Sequence, residues 1–126
     1  MKTLTKAFII TLLGATLLQA AAFTQNIHSH GVSATVSSNQ ALSAGSNTIV
    51  VKLNGAQYKD AKVKLRAFMP AMPGMPAMKS MAKATNIGNG KYRARLNLAM
   101  AGTWQLFIYI TTKNGEHKRV KTFLNF

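Results

Sequence analysis

The residues best suited to chemistry in this sequence are five methionines that recur at every third position. They are Met69, Met72, Met75, Met78 and Met81, and the first three are each followed directly by proline. A thioether sulfur is a soft, neutral ligand that selects Cu(I), or Ag(I), over hard cations. It needs no deprotonation before it binds. The methionine run is therefore a candidate site for a soft monovalent metal ion.

Local geometry decides whether these sulfurs can meet. The prolines exclude a regular helix or a central strand over this segment. An extended polyproline segment would align all five sulfurs on one edge, but roughly 9 Å apart along the axis. Pro73-Gly74 removes this difficulty, because it is the preferred central pair of a type II turn and would hold the Cα atoms of Met72 and Met75 within about 7 Å. The predicted primary ligands are these two with methionine 69 or 78 as a third sulfur, and methionine 81 is an outer member.

Two histidines near the start of the predicted domain are further candidate ligands. His28 and His30 would face the same side of an extended segment. Imidazole suits Cu(II), so the pair would hold the oxidised ion or complete a mixed sulfur and nitrogen site. The alternative is a solvated terminal tail. His117 has no companion in the sequence and is expected to be exposed.

Alternatives without metal use the same residues. Methionines are adaptable packing groups, and a run of them could cover one end of the fold or dock a partner in the cell envelope.

Signals for catalysis are absent: the sequence has no phosphate-binding glycine loop and no serine or cysteine beside a histidine and an acid. The two acids, Asp60 and Glu116, are far apart in sequence and predict no carboxylate pair. We therefore do not expect an enzyme.

The segments that must position these groups show the two-residue hydrophobic periodicity of β-strands. Turn residues interrupt the apolar pattern every eight to twelve positions, and about seven short antiparallel strands predict an all-β, immunoglobulin-like β-sandwich. The predicted strands are Val32 to Ser37, Thr48 to Asn54, Lys62 to Met69, Ala82 to Ile87, Lys91 to Leu98, Thr103 to Thr112 and Lys118 to Phe126.

Alternation and turn chemistry support this division. The third and fifth strands place apolar residues on one face and mainly basic residues on the other. The sixth is apolar on both faces, which predicts a central position with Trp104 in the core. Turns are expected at Gly88-Asn89-Gly90, Ala101-Gly102 and Lys113-Asn114-Gly115.

The N-terminal segment predicts export. Lys2 and Lys6 precede the apolar run Ala7–Leu18, and small alanines follow it. This order is typical of a secretory signal peptide, here residues 1–22, with cleavage after Ala22 or alternatively after Ala20. The predicted remainder, residues 23–126, is one domain of periplasmic or secreted location.

The charge balance indicates the kind of partner. The formal charge is +14 for the whole sequence and +12 without Lys2 and Lys6. Such a surface attracts anionic lipid, polyanions or acidic proteins. Nucleic acid is not expected as a partner, because the sequence predicts export and the lysines are scattered. A weak association of the basic strand faces with an anionic membrane surface is a further alternative.

Taken together, these motifs carry a family resemblance. The strand that begins at Lys62 and leads into the Met-Pro loop, followed by Gly90-Lys91-Tyr92 and Gly102-Thr103-Trp104, resembles the YtkA-like domain over residues 42–126. The resemblance implies a small β-sandwich in an exported bacterial protein. Within the family the chain most resembles short, single-domain members with a signal peptide, and this resemblance implies a role in copper tolerance, in which the protein binds copper, preferably Cu(I), beside a periplasmic efflux component.

Overall fold

The structure, a computed structural model, describes residues 23–126. The predicted signal peptide, residues 1–22, lies outside the described residues. No helix between Phe23 and Phe126 is long and apolar enough to cross a membrane.

The described chain forms two antiparallel sheets, which confirms the predicted all-β sandwich. One sheet has the strand order β1-β2-β3-β7-β6 and the other the order β5-β4-β8-β9. The strands are β1 (Phe23–Ser29), β2 (Val32–Ser38), β3 (Gly45–Leu53), β4 (Lys62–Met69), β5 (Met78–Lys83), β6 (Thr85–Gly88), β7 (Lys91–Leu98), β8 (Thr103–Thr111) and β9 (His117–Asn125). Within residues 23–126, one 3-10 turn covers Ala56–Tyr58.

The core lies between the two sheets and follows the predicted alternation. In β4 and β7 every second residue is buried, and the basic residues between them point outward. The strand β8 is central in its sheet, and its inward side chains Trp104, Leu106, Ile108 and Ile110 are all buried. The indole nitrogen of Trp104 donates to the carbonyl oxygen of Met100 at 3.0 Å. The prediction that Trp104 is a core residue is confirmed.

The strand prediction missed one strand and merged two others, and it began β3 at Thr48 where the structure begins it at Gly45. The strand β1 was missed, because only Ile27 among its inward residues is apolar and buried, so it shows no apolar alternation. The single strand predicted from Ala82 to Ile87 is two strands, β5 and β6, which belong to different sheets. The chain changes sheet at Ala84, whose amide donates to the carbonyl oxygen of Val63 at 2.9 Å.

The sandwich has two distinct ends. The end of β4, the start of β5 and the connection 99–102 between β7 and β8 form the methionine end. The turns 30–31, 88–90 and 112–116 form the opposite end, where Tyr92 of β7 binds the connection between β3 and β4. Its hydroxyl donates to the carbonyl oxygen of Tyr58 and accepts from the amide of Ala61.

Candidate metal centre in the methionine hairpin

A tight turn at Pro73-Gly74 brings two of the candidate ligands together. The amide of Met75 donates to the carbonyl oxygen of Met72 at 2.8 Å, and the amide of Met72 donates back at 2.9 Å. Pro73 has a negative φ and Gly74 a φ of 82°, a combination that fits only a type II turn among the common types. The predicted turn is confirmed.

The turn closes a hairpin that extends the edge of the four-stranded sheet. Met72 pairs with Met75, and in the same register Met69 pairs with Met78 at the end of β4 and β5. Residues opposite each other in an antiparallel pair share a face, with Cβ atoms about 4.5–5.5 Å apart. The methionine hairpin, residues 69–78, therefore contains two cross-strand methionine pairs.

These two pairs differ in exposure. Met69 is 3% exposed and belongs to the core, while Met78 is half-buried and packs against the core. Met72 is 45% exposed, and Met75 is half-buried. The pair at the turn is therefore open to an incoming ion, and the pair beneath it supports the hairpin.

Met69 nevertheless lines a groove that it shares with Met72. The groove has a volume of about 370 Å³, and its other lining residues include Gly102, Gln105 and Phe123. Met69 thus contacts the core on one side and this groove on the other. It is the flanking methionine best placed to supply a third sulfur.

Met81 lies apart from this cluster. Burial alternates along β5, so that Met78 points inward and Met81 points outward with 54% of its side chain exposed. At the rise of a strand it lies about 20 Å along the chain from Met75. It pairs across the sheet with Arg66, whose positive charge disfavours a cation there.

The methionine hairpin repels a cation less than the rest of this basic domain does. Residues 69–78 contain no ionisable side chain, although the chain carries a formal charge of +14. A soft cation at the turn would therefore meet neutral sulfur and not the ammonium groups of the strand faces. Its capture would depend on sulfur ligation and not on attraction to carboxylates.

The two histidines lie at the opposite end of the sandwich. Nδ1 of His28, on the outward side of β1, is 2.6 Å from Oγ of Ser33. His30 lies in the turn after β1 with a φ of 49°, so the extended segment expected to align the two imidazoles ends before it. The length of a strand, roughly 20 Å, separates them from the methionine hairpin, and the two groups do not form one mixed site.

His117 is exposed, as predicted, and its Nδ1 lies 3.2 Å from the hydroxyl of Thr111. Among residues 23–126, no three histidine, aspartate or glutamate side chains come together in a way that could hold a metal ion.

The sequence did not predict the groove beside the hairpin. Gln105 and Phe123 come from β8 and β9, far from the methionines in sequence. One signal was present: Phe123 lies between the inward residues Thr122 and Leu124, in the outward phase of β9. An aromatic residue in that phase marks an exposed apolar position.

Comparison with known proteins agrees with this fold. The crystal structure of the PmoD soluble domain from Methylocystis sp. strain Rockwell superimposes with a TM-score of 0.53 and 11% sequence identity, covering 79% of this chain and 94% of that one. At that identity the likeness concerns the fold alone. None of the curated proteins compared with this chain matches it significantly.

The match to a protein family is more extensive. The sequence profile of YtkA-like proteins matches residues 28–108, which is more than half of the chain and includes the whole methionine hairpin. The match also includes β7 and the connection to β8, where the motifs Gly90-Lys91-Tyr92 and Gly102-Thr103-Trp104 lie. The chain belongs to the YtkA-like family.

Proposed function

We propose that this protein is an exported copper-binding protein that contributes to copper tolerance. It sequesters Cu(I), or passes it to an efflux system, through the methionine hairpin. The observation that carries this proposal is the type II turn, which places Met72 and Met75 opposite each other at an exposed tip. The proposal is also supported by a resemblance: as a short YtkA-like protein with a predicted signal peptide, this chain resembles the copper resistance determinant CrdA.

The proposed ligand set is supported by the geometry of the hairpin. Met72 and Met75 supply the first two sulfurs, and Met69 supplies a third from the adjoining groove. Three rotatable bonds in each side chain let the sulfurs adjust to one ion. Met78 supports the hairpin from the core side, and the proposal gives Met81 no place in the primary set.

The location and chemistry belong to the same proposal. The predicted signal peptide indicates a periplasmic or secreted protein, where cuprous ion would be bound without thiolates because the sequence contains no cysteine. The copper ion is cargo, and the function includes no catalytic step. Cu(II) at the histidine end would be a separate binding event.

A titration with Cu(I) tests the proposal. Residues 23–126, which contain both sheets and the buried core, would be titrated under reducing conditions against a competing Cu(I) chelator. The double variant Met72→Leu with Met75→Leu should lose tight binding and keep its fold, because the side-chain volumes are similar. Met81→Leu is the matched control and should bind as the unmodified domain does. Tight binding by the double variant would refute the site.

A second function is favoured by one specific observation. Met72 and Phe123, 45% and 47% exposed, border the same groove and form an apolar surface suited to a protein partner. The domain would then be an interaction module that docks a cell-envelope component, such as an efflux adaptor, without metal. In that case the leucine double variant would still bind the partner, and Met72→Glu with Met75→Glu would not.

A further inference from the structure

The outer surface of the sheet β5-β4-β8-β9 carries a set of positive charges with no negative charge among its strands. We call this surface the basic face. Its outward-pointing cations are Lys62, Lys64, Arg66, Lys79, Lys83, Arg119 and Lys121. The two acids of the sequence, Asp60 and Glu116, lie in turns outside the strands. The positive charge of this face is therefore not neutralised by neighbouring side chains on the strands.

Aromatic rings hold several of these cations close to the sheet. Arg66, Arg119 and Lys121 lie 5.4, 5.8 and 5.6 Å from the centroid of the Phe107 ring. Lys121 also lies 5.3 Å from the ring of Phe123. Cation–π attraction offsets part of the repulsion between these like charges. Three charges thus surround one ring, an arrangement that an anionic partner would stabilise further.

An apolar edge adjoins this charge. Phe123 is 47% exposed and, with Met72, borders the groove at the methionine end of the sheet. Basic residues beside exposed apolar and aromatic side chains are typical of surfaces that bind the headgroup region of a membrane. The Phe107 ring is covered by cations and is not free to stack on a base, so the face is unlike a platform for single-stranded nucleic acid.

We propose that the basic face docks the domain on a bilayer that contains anionic phospholipid. Arg66, Arg119 and Lys121 bind headgroup phosphates, and Phe123 enters the headgroup region. This binding surface is separate from the proposed copper function, since it needs no metal and its central charges lie outside the methionine hairpin. It holds the methionine hairpin at the membrane surface, where the hairpin would encounter an envelope efflux component.

Vesicle binding by metal-free residues 23–126 tests this proposal. Vesicles of phosphatidylcholine with about a third phosphatidylglycerol would be compared with pure phosphatidylcholine, at low and high salt. We expect binding to the anionic vesicles only, and its loss in high salt, where screening shortens the range of the charges. The triple variant Arg66→Gln, Arg119→Gln and Lys121→Gln should bind roughly 100-fold more weakly, given the contribution of each basic residue near a membrane.

A matched control removes the same charge from the other sheet. Lys52, Arg93 and Arg95 point outward from β3 and β7, and their triple replacement by glutamine should leave most of the binding intact. Phe123→Ser should weaken binding without changing the charge. Thermal unfolding followed by circular dichroism would verify that each variant is folded.

Three outcomes would overturn the proposal. They are no binding to anionic vesicles, equal losses in the two triple variants, and binding to a soluble polyanion such as heparin with none to vesicles. Equal losses would mean that vesicle binding depends on the net charge of the domain and not on where the charges lie. None of these results bears on Cu(I) binding, which is measured without lipid.

Discussion

Met69 lies so close to Gly102 that a Cβ atom at position 102 would be only 2.8 Å from the terminal methyl carbon of Met69. The backbone of Gly102 also exchanges hydrogen bonds with Phe126, at 3.1 and 3.2 Å. The connection between β7 and β8 is thereby held against the base of the methionine hairpin. The terminal methyl group of Met69 occupies space that a side chain at position 102 would need.

Replacing Gly102 with alanine should destabilise the domain by about 1–3 kcal/mol, through its φ of 145° and the contact with Met69. It should also weaken Cu(I) binding, because Met69 must move. Urea unfolding and Cu(I) competition would measure the two effects. Gly115→Ala is the control: Gly115 also has a positive φ, but no atom lies within 4 Å of its Cβ position. Unchanged Cu(I) affinity in Gly102→Ala would show that the contact between this position and Met69 does not organise the site.

The parts of this structure that local chemistry determines could be predicted from the sequence. The Pro73-Gly74 turn depends on two adjacent residues. The strands β4 and β7 could be recognised because apolar and mainly basic residues alternate along each, and burial follows that alternation. The change of sheet at Ala84 could not be predicted, because neither glycine nor proline marks it.

In the candidate site, too, the locally determined part could be predicted and the part formed by distant strands could not. The sequence predicted that Met72 and Met75 meet, but it placed Met69 both on the buried face of β4 and among the ligands. The structure shows why the two descriptions coexist: Met69 is buried and also lines the groove beside Met72. Gln105 and Phe123 come to this groove because β8 pairs with β4, and strand pairing over that separation is not visible in one sequence.

Replacing Gly74 with alanine should weaken Cu(I) binding and leave the stability of the core almost unchanged. A type II turn requires a positive φ at this position, which costs an L-residue roughly 1–2 kcal/mol. No atom lies within 4 Å of the Cβ position, so strain and not a clash opens the turn. Gly74→Asn is the matched control, because asparagine tolerates positive φ and should retain more affinity. Equal affinities in both variants and the unmodified domain would show that the turn does not organise the ligands.

Replacing Tyr92 with phenylalanine should destabilise the domain by about 2–3 kcal/mol, because it removes both hydrogen bonds of a buried hydroxyl. The amide of Ala61 and the carbonyl oxygen of Tyr58 would both lose this hydrogen-bond partner. Tyr109→Phe, on the outward side of β8, is the control and should change stability by less than about 0.5 kcal/mol. Chemical denaturation would compare them. A small effect of Tyr92→Phe would mean that water replaces the hydroxyl.

Replacing His28 and His30 with alanine should leave Cu(I) affinity unchanged. Both residues are exposed at the end of the sandwich opposite the methionine hairpin, and neither can share an ion with Met72 within one molecule. Stability should change little, since the hydrogen bonds to Ser33 and Ser29 are made at the surface.

The same variant separates the two oxidation states of copper. If the histidines bind Cu(II), the double variant should lose that binding, while the Met72→Leu and Met75→Leu variant keeps it. Titrations of both variants with both ions, followed by competition for Cu(I) and by visible absorption for Cu(II), would give the comparison. A fall in Cu(I) affinity in the histidine variant would contradict a site confined to one hairpin, because the nitrogen ligands would then have to come from a second molecule.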